Sequence, residues 1–373
     1  MGYSAAVQLA SDLVRLNTVN PGGGEAAAAR LVAEFLSGCP VQTEFHELAP
    51  GRDSLIVRYG ERDAGQLPLC FSGHLDTVPL GTAKWSRNPL SGEISDGRLW
   101  GRGSTDMKGG IAALVVAFER LCRSGVSCPV TLALTASEET GCQGANAIAG
   151  KIGRVGGLII AEPTNCSIAT SHKGALWLRI CAVGKAAHGS KPELGDNAID
   201  SVVQALAGTR EVIRSAPTHS RLGPVTSNVG TIVGGTATNI VADRCEATVD
   251  VRLTPGLSAT TVLNKIRAQL RHGVSVEPDL ALDAIDSATD DPWILGVIRD
   301  ASRVCGAPLA ATSASFFTDA SVLVPALGNP PVAIVGPGDP ALAHQVDESC
   351  SVEAIDRATD LYELIGRNWQ KVT

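Results

Sequence analysis

The stretch Leu67-Pro68-Leu69-Cys70-Phe71-Ser72-Gly73-His74-Leu75-Asp76 sets the reading of this chain. A short apolar run, Leu67 to Ser72, leads at once into a histidine and an aspartate. The same construction recurs three times. Val130–Thr135 leads to Ala136-Ser137-Glu138-Glu139, Gly157–Ala161 to Glu162-Pro163-Thr164, and Pro331–Val335 through a Gly- and Pro-rich loop to His344. Apolar runs this short, set among helical patterns such as Glu25–Ser37 and Gly109–Arg123, read as buried parallel strands. The expected fold is α/β, a mostly parallel sheet flanked by helices. Ligands of such sheets bind beyond the carboxyl ends of the strands. Four strands would therefore deliver histidine and carboxylate groups to one rim.

The middle of the chain has a different pattern. Ala175–Val183 alternates like a half-buried strand, and Asn197–Arg214 has helical periodicity. Ser227–Val233 and Cys245–Leu253 read as strands, Ser258–Arg271 as a helix with Ser258 as N-cap, and Val274–Leu282 as a weaker strand. The order βαββαβ is the ferredoxin-like arrangement. With 373 residues, two domains are expected. We place an inserted α+β domain at 173–286, between segments 1–172 and 287–373 of the first domain. Gly174 and Asp283–Asp291 are the candidate hinges.

Composition excludes several classes. The hydrophobic fraction is 44% and the charged fraction 18%, which fits a packed globular protein rather than a disordered one. Net charge is -7 with no block of lysines and arginines, so neither nucleic acid nor a membrane surface is the expected partner. The ten cysteines form no C-x-x-C pair; reduced thiols in the cytoplasm fit them best. Met1–Leu16 reads as an amphipathic helix interrupted by Asp12 and Arg15, not as a signal peptide. No run of about 18 apolar residues suggests a membrane span. A serine hydrolase elbow is missing, and Gly101–Gly110 matches neither dinucleotide nor P-loop patterns.

Each site segment has two readings. Two residues apart on a strand, His74 and Asp76 point the same way. The imidazole can bind metal while the carboxylate accepts its other N–H; a structural His–Asp pair is the alternative. Asp106 lies among Gly101, Gly103, Gly109 and Gly110 and can bridge two cations or cap a helix. Glu138 and Glu139 diverge, so one can ligate while the other faces a water; a solvated loop start is the alternative. Glu162 ends an apolar strand before Pro163, as a ligand or as a strand-end cap. His344 alone reads as a surface histidine. Jointly these donors suit paired Zn²⁺, with Co²⁺ or Mn²⁺ as alternatives, and the lack of cysteine among them argues against a structural zinc site. Two metals sharing a carboxylate would lie about 3.5–4 Å apart around a bridging water.

With His74-Leu75-Asp76-Thr77-Val78-Pro79, Gly101–Gly109, Glu138-Glu139 and Glu162-Pro163-Thr164 in this order and spacing, the chain resembles a known family over nearly its whole length. It is the acetylornithine deacetylase, succinyl-diaminopimelate desuccinylase, aminoacylase and glutamate carboxypeptidase family of dinuclear zinc metallohydrolases. The resemblance implies that His74 and Glu162 hold one metal, Glu139 and His344 the other, and Asp106 bridges. Asp76 would orient His74, and Glu138 would carry a proton from the water to the leaving amine. A cis Asp106–Met107 peptide is implied too.

Ala187-His188-Gly189-Ser190-Lys191-Pro192 resembles the family's lid segment, whose histidine reaches the other subunit's site and stabilises the oxyanion. His188 is the candidate here, with a surface loop histidine as the alternative; Gly189 departs from the small hydroxyl residue usual there. A homodimer through the inserted domain follows from the resemblance. Asn239 and Arg252 resemble positions that bind the substrate carboxylate, Arg252 bidentately; a strand salt bridge with Asp250 or Asp243 is the alternative for Arg252. The expected activity is hydrolysis of the amide bond of an N-acyl amino acid, of deacetylase or desuccinylase type. A metallo-carboxypeptidase or dipeptidase is the alternative, and a non-catalytic binding relative a third, against which the full ligand set and Glu138 argue.

Overall fold

Strand Leu69–His74 is buried along its whole length, as its unbroken apolar run requires. It is hydrogen-bonded in parallel to Val130–Thr135 on one side, with His74 opposite Thr135, and to Gly157–Ile160 on the other, with Ser72 opposite Ile160. Val332–Ile334 extends the parallel set. Antiparallel strands flank this centre: the hairpin Gln42–Ala49/Arg52–Tyr59 beyond Val130–Thr135, and Ile168–His172 beyond Val332–Ile334. The mostly parallel sheet expected is thus present, with antiparallel edges that the apolar runs did not announce.

The computed structural model describes residues 2–60, 66–126 and 128–369. It divides into two units. The first comprises Met1–Ser171, Asp286–Ala314 and Thr318–Thr373, the second His172–Ile285 with Ser315–Phe317. Nothing in the sequence pattern signalled that last short return.

In the first unit, successive strand residues serve opposite faces of the sheet. Phe71, Leu132, Leu134, Ile159 and Ala333 join one core with helices Ala5–Arg15, Gly109–Arg123, Pro292–Cys305 and Val352–Asn368. Their neighbours Cys70, Ala133, Leu158, Ile160, Val332 and Ile334 are also buried. Helix ends are set by local chemistry. The Ser4 hydroxyl accepts from the Val7 amide, Asp291 caps Trp293 and Ile294 ahead of Pro292 at the first helical position, and Ser351 accepts from Ala354. Of the expected N-terminal helix Met1–Leu16, Ala5–Arg15 is helical and Met1 lies outside the described residues. No helix among those described is long and apolar enough to cross a membrane.

The second unit is a four-stranded antiparallel sheet in the order Thr226–Gly234, Arg244–Leu253, Gly174–Val183, Val274–Leu282. Helices Ala198–Arg214 and Ala259–Arg267 share its core of Leu176, Leu178, Ile180, Ala247, Val249 and Val251. This is the ferredoxin-like βαββαβ order. Asn197 and Ser258 cap the two helices. Thr226–Gly234 is an edge strand, and Ile232 and Val233 on it are 49% and 73% exposed.

One contact places the glycine-rich segment against the sheet. A Cβ on Gly110 would sit 2.3 Å from the Ala161 carbonyl oxygen, just before Glu162. Alanine gains about 1 kcal/mol in helix propensity over glycine, but here it must displace backbone. We expect Gly110→Ala to lower stability by a net 1–2 kcal/mol or so, read as a fall in melting temperature; an unchanged melt would mean the contact yields freely.

Candidate metal centre

Four adjacent parallel strands each run into a segment bearing one or two of the site residues. In sheet order the segments carry Glu138 and Glu139, then His74, then Glu162, then His344. Asp106 comes from the glycine-rich segment ahead of helix Gly109–Arg123, and its peptide to Met107 is cis, as the resemblance implies.

Asp106 is the centre of the cluster. Its Oδ1 lies 3.2 Å from His74 Nε2 and its Oδ2 3.2 Å from His344 Nε2. Glu162 Oε1 is 3.9 Å from His74 Nε2, and Glu139 Oε1 is 3.1 Å from His344 Nε2. The residues thus fall into a His74–Glu162 side and a His344–Glu139 side, with one oxygen of Asp106 toward each. His74 is buried, whereas the His344 side chain is 49% exposed. His344 also has a left-handed backbone, at φ 64°.

Asp76 orients more than a histidine. The His74 Nδ1 faces the Asp76 backbone oxygen at 3.0 Å and its carboxylate at 3.6 Å, which leaves Nε2 for the centre. The same carboxylate accepts the amides of Glu138 at 3.0 Å and Glu139 at 3.2 Å, and the Asn20 side chain at 2.7 Å. Asn20 accepts from Arg52, which is paired with the buried Glu25. Burial opposes ionisation of Asp76, but the His74 ring and these donors outweigh it and hold the carboxyl below its usual range.

The glycine-rich segment is tied to the His344 loop by another buried pair. Glu348 Oε1 accepts the amides of Thr105 and Asp106 at 2.9 and 3.1 Å, and Oε2 accepts from Arg102 Nη1 at 2.6 Å. Arg102 and Glu348 are both buried. Removing either partner of such a pair strands a charge at a cost of about 3–5 kcal/mol.

Burial and mutual repulsion set the electrostatics of the cluster. Burial pushes Glu138 and Glu162 well above the ordinary glutamate range and Glu139 upward. The charges that act on them most strongly are the two histidines and other carboxylates. Burial also opposes ionisation of Asp106, yet His344 and His74 hold it ionised well below the usual range. Hydrogen bonds that His344 donates to Asp106 and Glu139 push it up to about 10. So many buried carboxyls around two imidazoles are costly without cations. Two nitrogens and a shareable carboxylate fit a pair of borderline divalent ions.

Sequence reading missed Asn20, Arg52, Glu25, Arg102 and Glu348, whose partners are remote in the chain. It missed Asp319 as well. Asp319 is buried, accepts from the Thr135 hydroxyl through Oδ2, and leaves Oδ1 without a partner. Oxygens of Asp319 and Glu138 and the Cys142 sulfur lie within 4.8 Å of one another. Burial pushes Asp319 up to about 6.

The remaining candidates belong to the second unit. His188 is exposed and its Nδ1 lies 2.8 Å from the Ser190 hydroxyl. The Gly189 amide donates to the Asn239 carbonyl at 2.7 Å, joining the His188 and Asn239 segments. Arg252 forms the strand salt bridge left open above, at 3.0 Å to Asp250, and lies over the Phe317 ring at 5.8 Å.

Fold and site together define a metal-dependent hydrolase built on a mostly parallel α/β sheet. Residues 70–368 match the model of peptidase family M20/M25/M40, and the chain belongs to that family. It is 31% identical to an acetylornithine deacetylase of Pasteurella multocida, over 90% of each chain. It is 29% identical to a probable succinyl-diaminopimelate desuccinylase of Staphylococcus epidermidis, over 96% of each. Among solved structures, an M20 family metallo-carboxypeptidase of Sulfolobus solfataricus superposes with a TM-score of 0.81 at 16% identity, covering 98% of this chain and 99% of that one.

A proton balance follows. His344 and His74 have raised affinities for protons in the metal-free chain, and a ligand nitrogen must shed its proton. Binding of zinc is therefore expected to release protons and to tighten as pH rises from about 6 to 8. Calorimetry in buffers of different ionisation enthalpy measures the release; a pH-independent affinity would contradict histidine ligation.

Proposed function

We propose that this chain hydrolyses the amide bond of N-acyl amino acids, of the acetyl or succinyl type, as a cytoplasmic homodimer with two Zn²⁺ per chain. The observation that carries it is Asp106, whose two oxygens each lie 3.2 Å from a different histidine. His74 and Glu162 would hold one cation, Glu139 and His344 the other, with Asp106 between them. When bound, the cations would polarise the amide carbonyl and acidify a water.

The chain's own groups would do the rest. Glu138, buried beside this set, takes the proton of the attacking water and returns it to the leaving amine. Burial strengthens its hold on a proton, which suits a base that must carry the water's proton to the leaving amine. Asp76 fixes the tautomer of His74 and the backbone from which Glu138 and Glu139 project. In the second unit, His188 would stabilise the oxyanion of a partner's site, and Asn239 and Arg252 would hold the substrate carboxylate. The open edge Thr226–Gly234, with Ile232 and Val233 exposed, supports pairing with a second copy. Ten unbridged cysteines support a reducing compartment. The deacylase reading draws on relatives near 30% identity over nine-tenths of the chain. Carboxypeptidase action is the second reading, favoured by the likeness to the Sulfolobus enzyme.

A panel of acetyl-, succinyl- and formyl-amino acids and dipeptides, offered to zinc- or cobalt-loaded protein, tests the substrate class. The highest kcat/KM is expected on an acyl amino acid; preference for peptides would favour the second reading. Glu138→Ala should keep both metals and lose about 10²–10⁴ in kcat, and full activity in that variant would remove Glu138 as the base.

His188→Ala should lower kcat with metal content intact. Mixing it with Glu138→Ala should restore activity, because one hybrid site then has both groups. A mixture that stays inactive while hybrids form would remove the role across subunits.

A further inference from the structure

We propose that Arg102, with Glu348, is the positioning residue for the His344 side of the centre, and that it sets how tightly that one metal is held. The inference rests on the two-metal reading and adds to it a control of one metal independent of the other.

His344 needs an external hold. Its side chain is half exposed and its backbone left-handed, a conformation few non-glycine residues adopt without support. The His74 side has the Asp76 carboxylate and the Asn20–Arg52–Glu25 chain behind it. Behind His344 stands Arg102. Its Nη2 donates to the His344 carbonyl at 3.4 Å and to the Pro79 carbonyl at 3.1 Å, and its Nη1 to the Gln345 carbonyl at 3.3 Å and to Glu348 at 2.6 Å. The guanidinium also lies over the Trp85 ring at 5.1 Å. Through Glu348 the same group reaches the amide of Asp106. One planar fork therefore fixes the backbone of His344 and, by one intermediary, that of Asp106.

The chemistry calls for arginine rather than for any cation. A lysine could pair with Glu348 but could not also reach carbonyls on two loops from one rigid plane. The position also has a cost, since the Arg102 Nε is buried without a partner. A side chain kept merely to fill the space would not need a donor stranded in that way.

The test uses the full-length chain loaded with zinc and dialysed against graded free zinc, with bound metal counted by mass spectrometry and stability followed by thermal melting. Arg102→Lys keeps the charge beside Glu348 and removes the fork. It is expected to hold one zinc at wild-type affinity and the other roughly 10–100-fold more weakly, the range seen when outer partners of metal ligands are removed. Glu348→Gln, nearly isosteric, is the second variant and should show the same one-sided loss, covering the case in which Arg102→Lys does not fold. His344→Ala marks the site concerned. If His344→Ala loses one zinc while the other two variants keep both at wild-type affinity, the inference is overturned and the metal-centre reading stands. Parallel loss of both metals with a collapsed melt would also overturn it, showing a merely structural pair. If His344→Ala itself keeps both zincs, the ligand reading fails, and the inference falls with it.

Discussion

The structure depends on an electrostatic conflict resolved at one end of a sheet. Asp76, Asp106, Glu138, Glu139, Glu162 and Asp319 converge on two histidines, and most of these side chains are buried. Hydrophobic strands bring them there, because four parallel runs with no polar residue facing out must be covered on both faces and leave only their ends open. The burial that stabilises the sheet therefore desolvates the carboxylates at its rim. Some can be neutralised by protons, as the upward shifts of Glu138 and Glu162 indicate, and some by histidine, as at Asp106. Divalent cations relieve the conflict more completely, which is how a fold feature becomes a chemical one.

What could be read from the sequence follows from the range of each interaction. The runs Val130–Thr135 and Val274–Leu282 appear as strands with those same bounds, because side-chain periodicity and turn residues are local signals. His74, Glu138, Glu139 and Glu162 were legible because each comes within a few residues of such a run. His344 lies farther along, in a loop whose left-handed backbone leaves no periodic trace, so only resemblance marked it. The supports were not legible. Asn20 meets Asp76 across 56 positions, and Arg102 meets Glu348 across 246; an asparagine before a proline or an arginine between two glycines looks like turn chemistry. The hairpin Gln42–Tyr59 was unread for a related reason, since its first strand is largely exposed and carries no apolar stripe.

The two sides of the centre are held by different means. On the His74 side the histidine is the last residue of a central strand and Asp76 stands two residues beyond it, so the histidine and its support share one short segment. On the other side Glu139 leaves a strand end while His344 belongs to a loop, and the tie between His344 and Asp106 is a salt bridge buried under both segments. A support built on backbone carbonyls can keep its geometry while the side chains around it change, because it reads no neighbouring residue's identity. A loop held in this way can vary in sequence around a fixed His344 backbone so long as Glu348 remains.

The same reasoning bears on the second unit, where Gly189 stands in place of the small hydroxyl residue usual in the family. A Cβ at Gly189 would meet the Asn239 carbonyl carbon and oxygen at 3.0 Å, which is tighter than most real contacts allow. The glycine lets the His188 segment lie closer to the Asn239 segment, and two hydrogen bonds lock them, Gly189 to Asn239 and Val241 to Ala187. His188 and Asn239 are therefore carried on one paired ribbon rather than on two independent loops. Backbone pairing thus fixes the spacing of these two residues, and the proposed oxyanion donor and carboxylate contact would move as one.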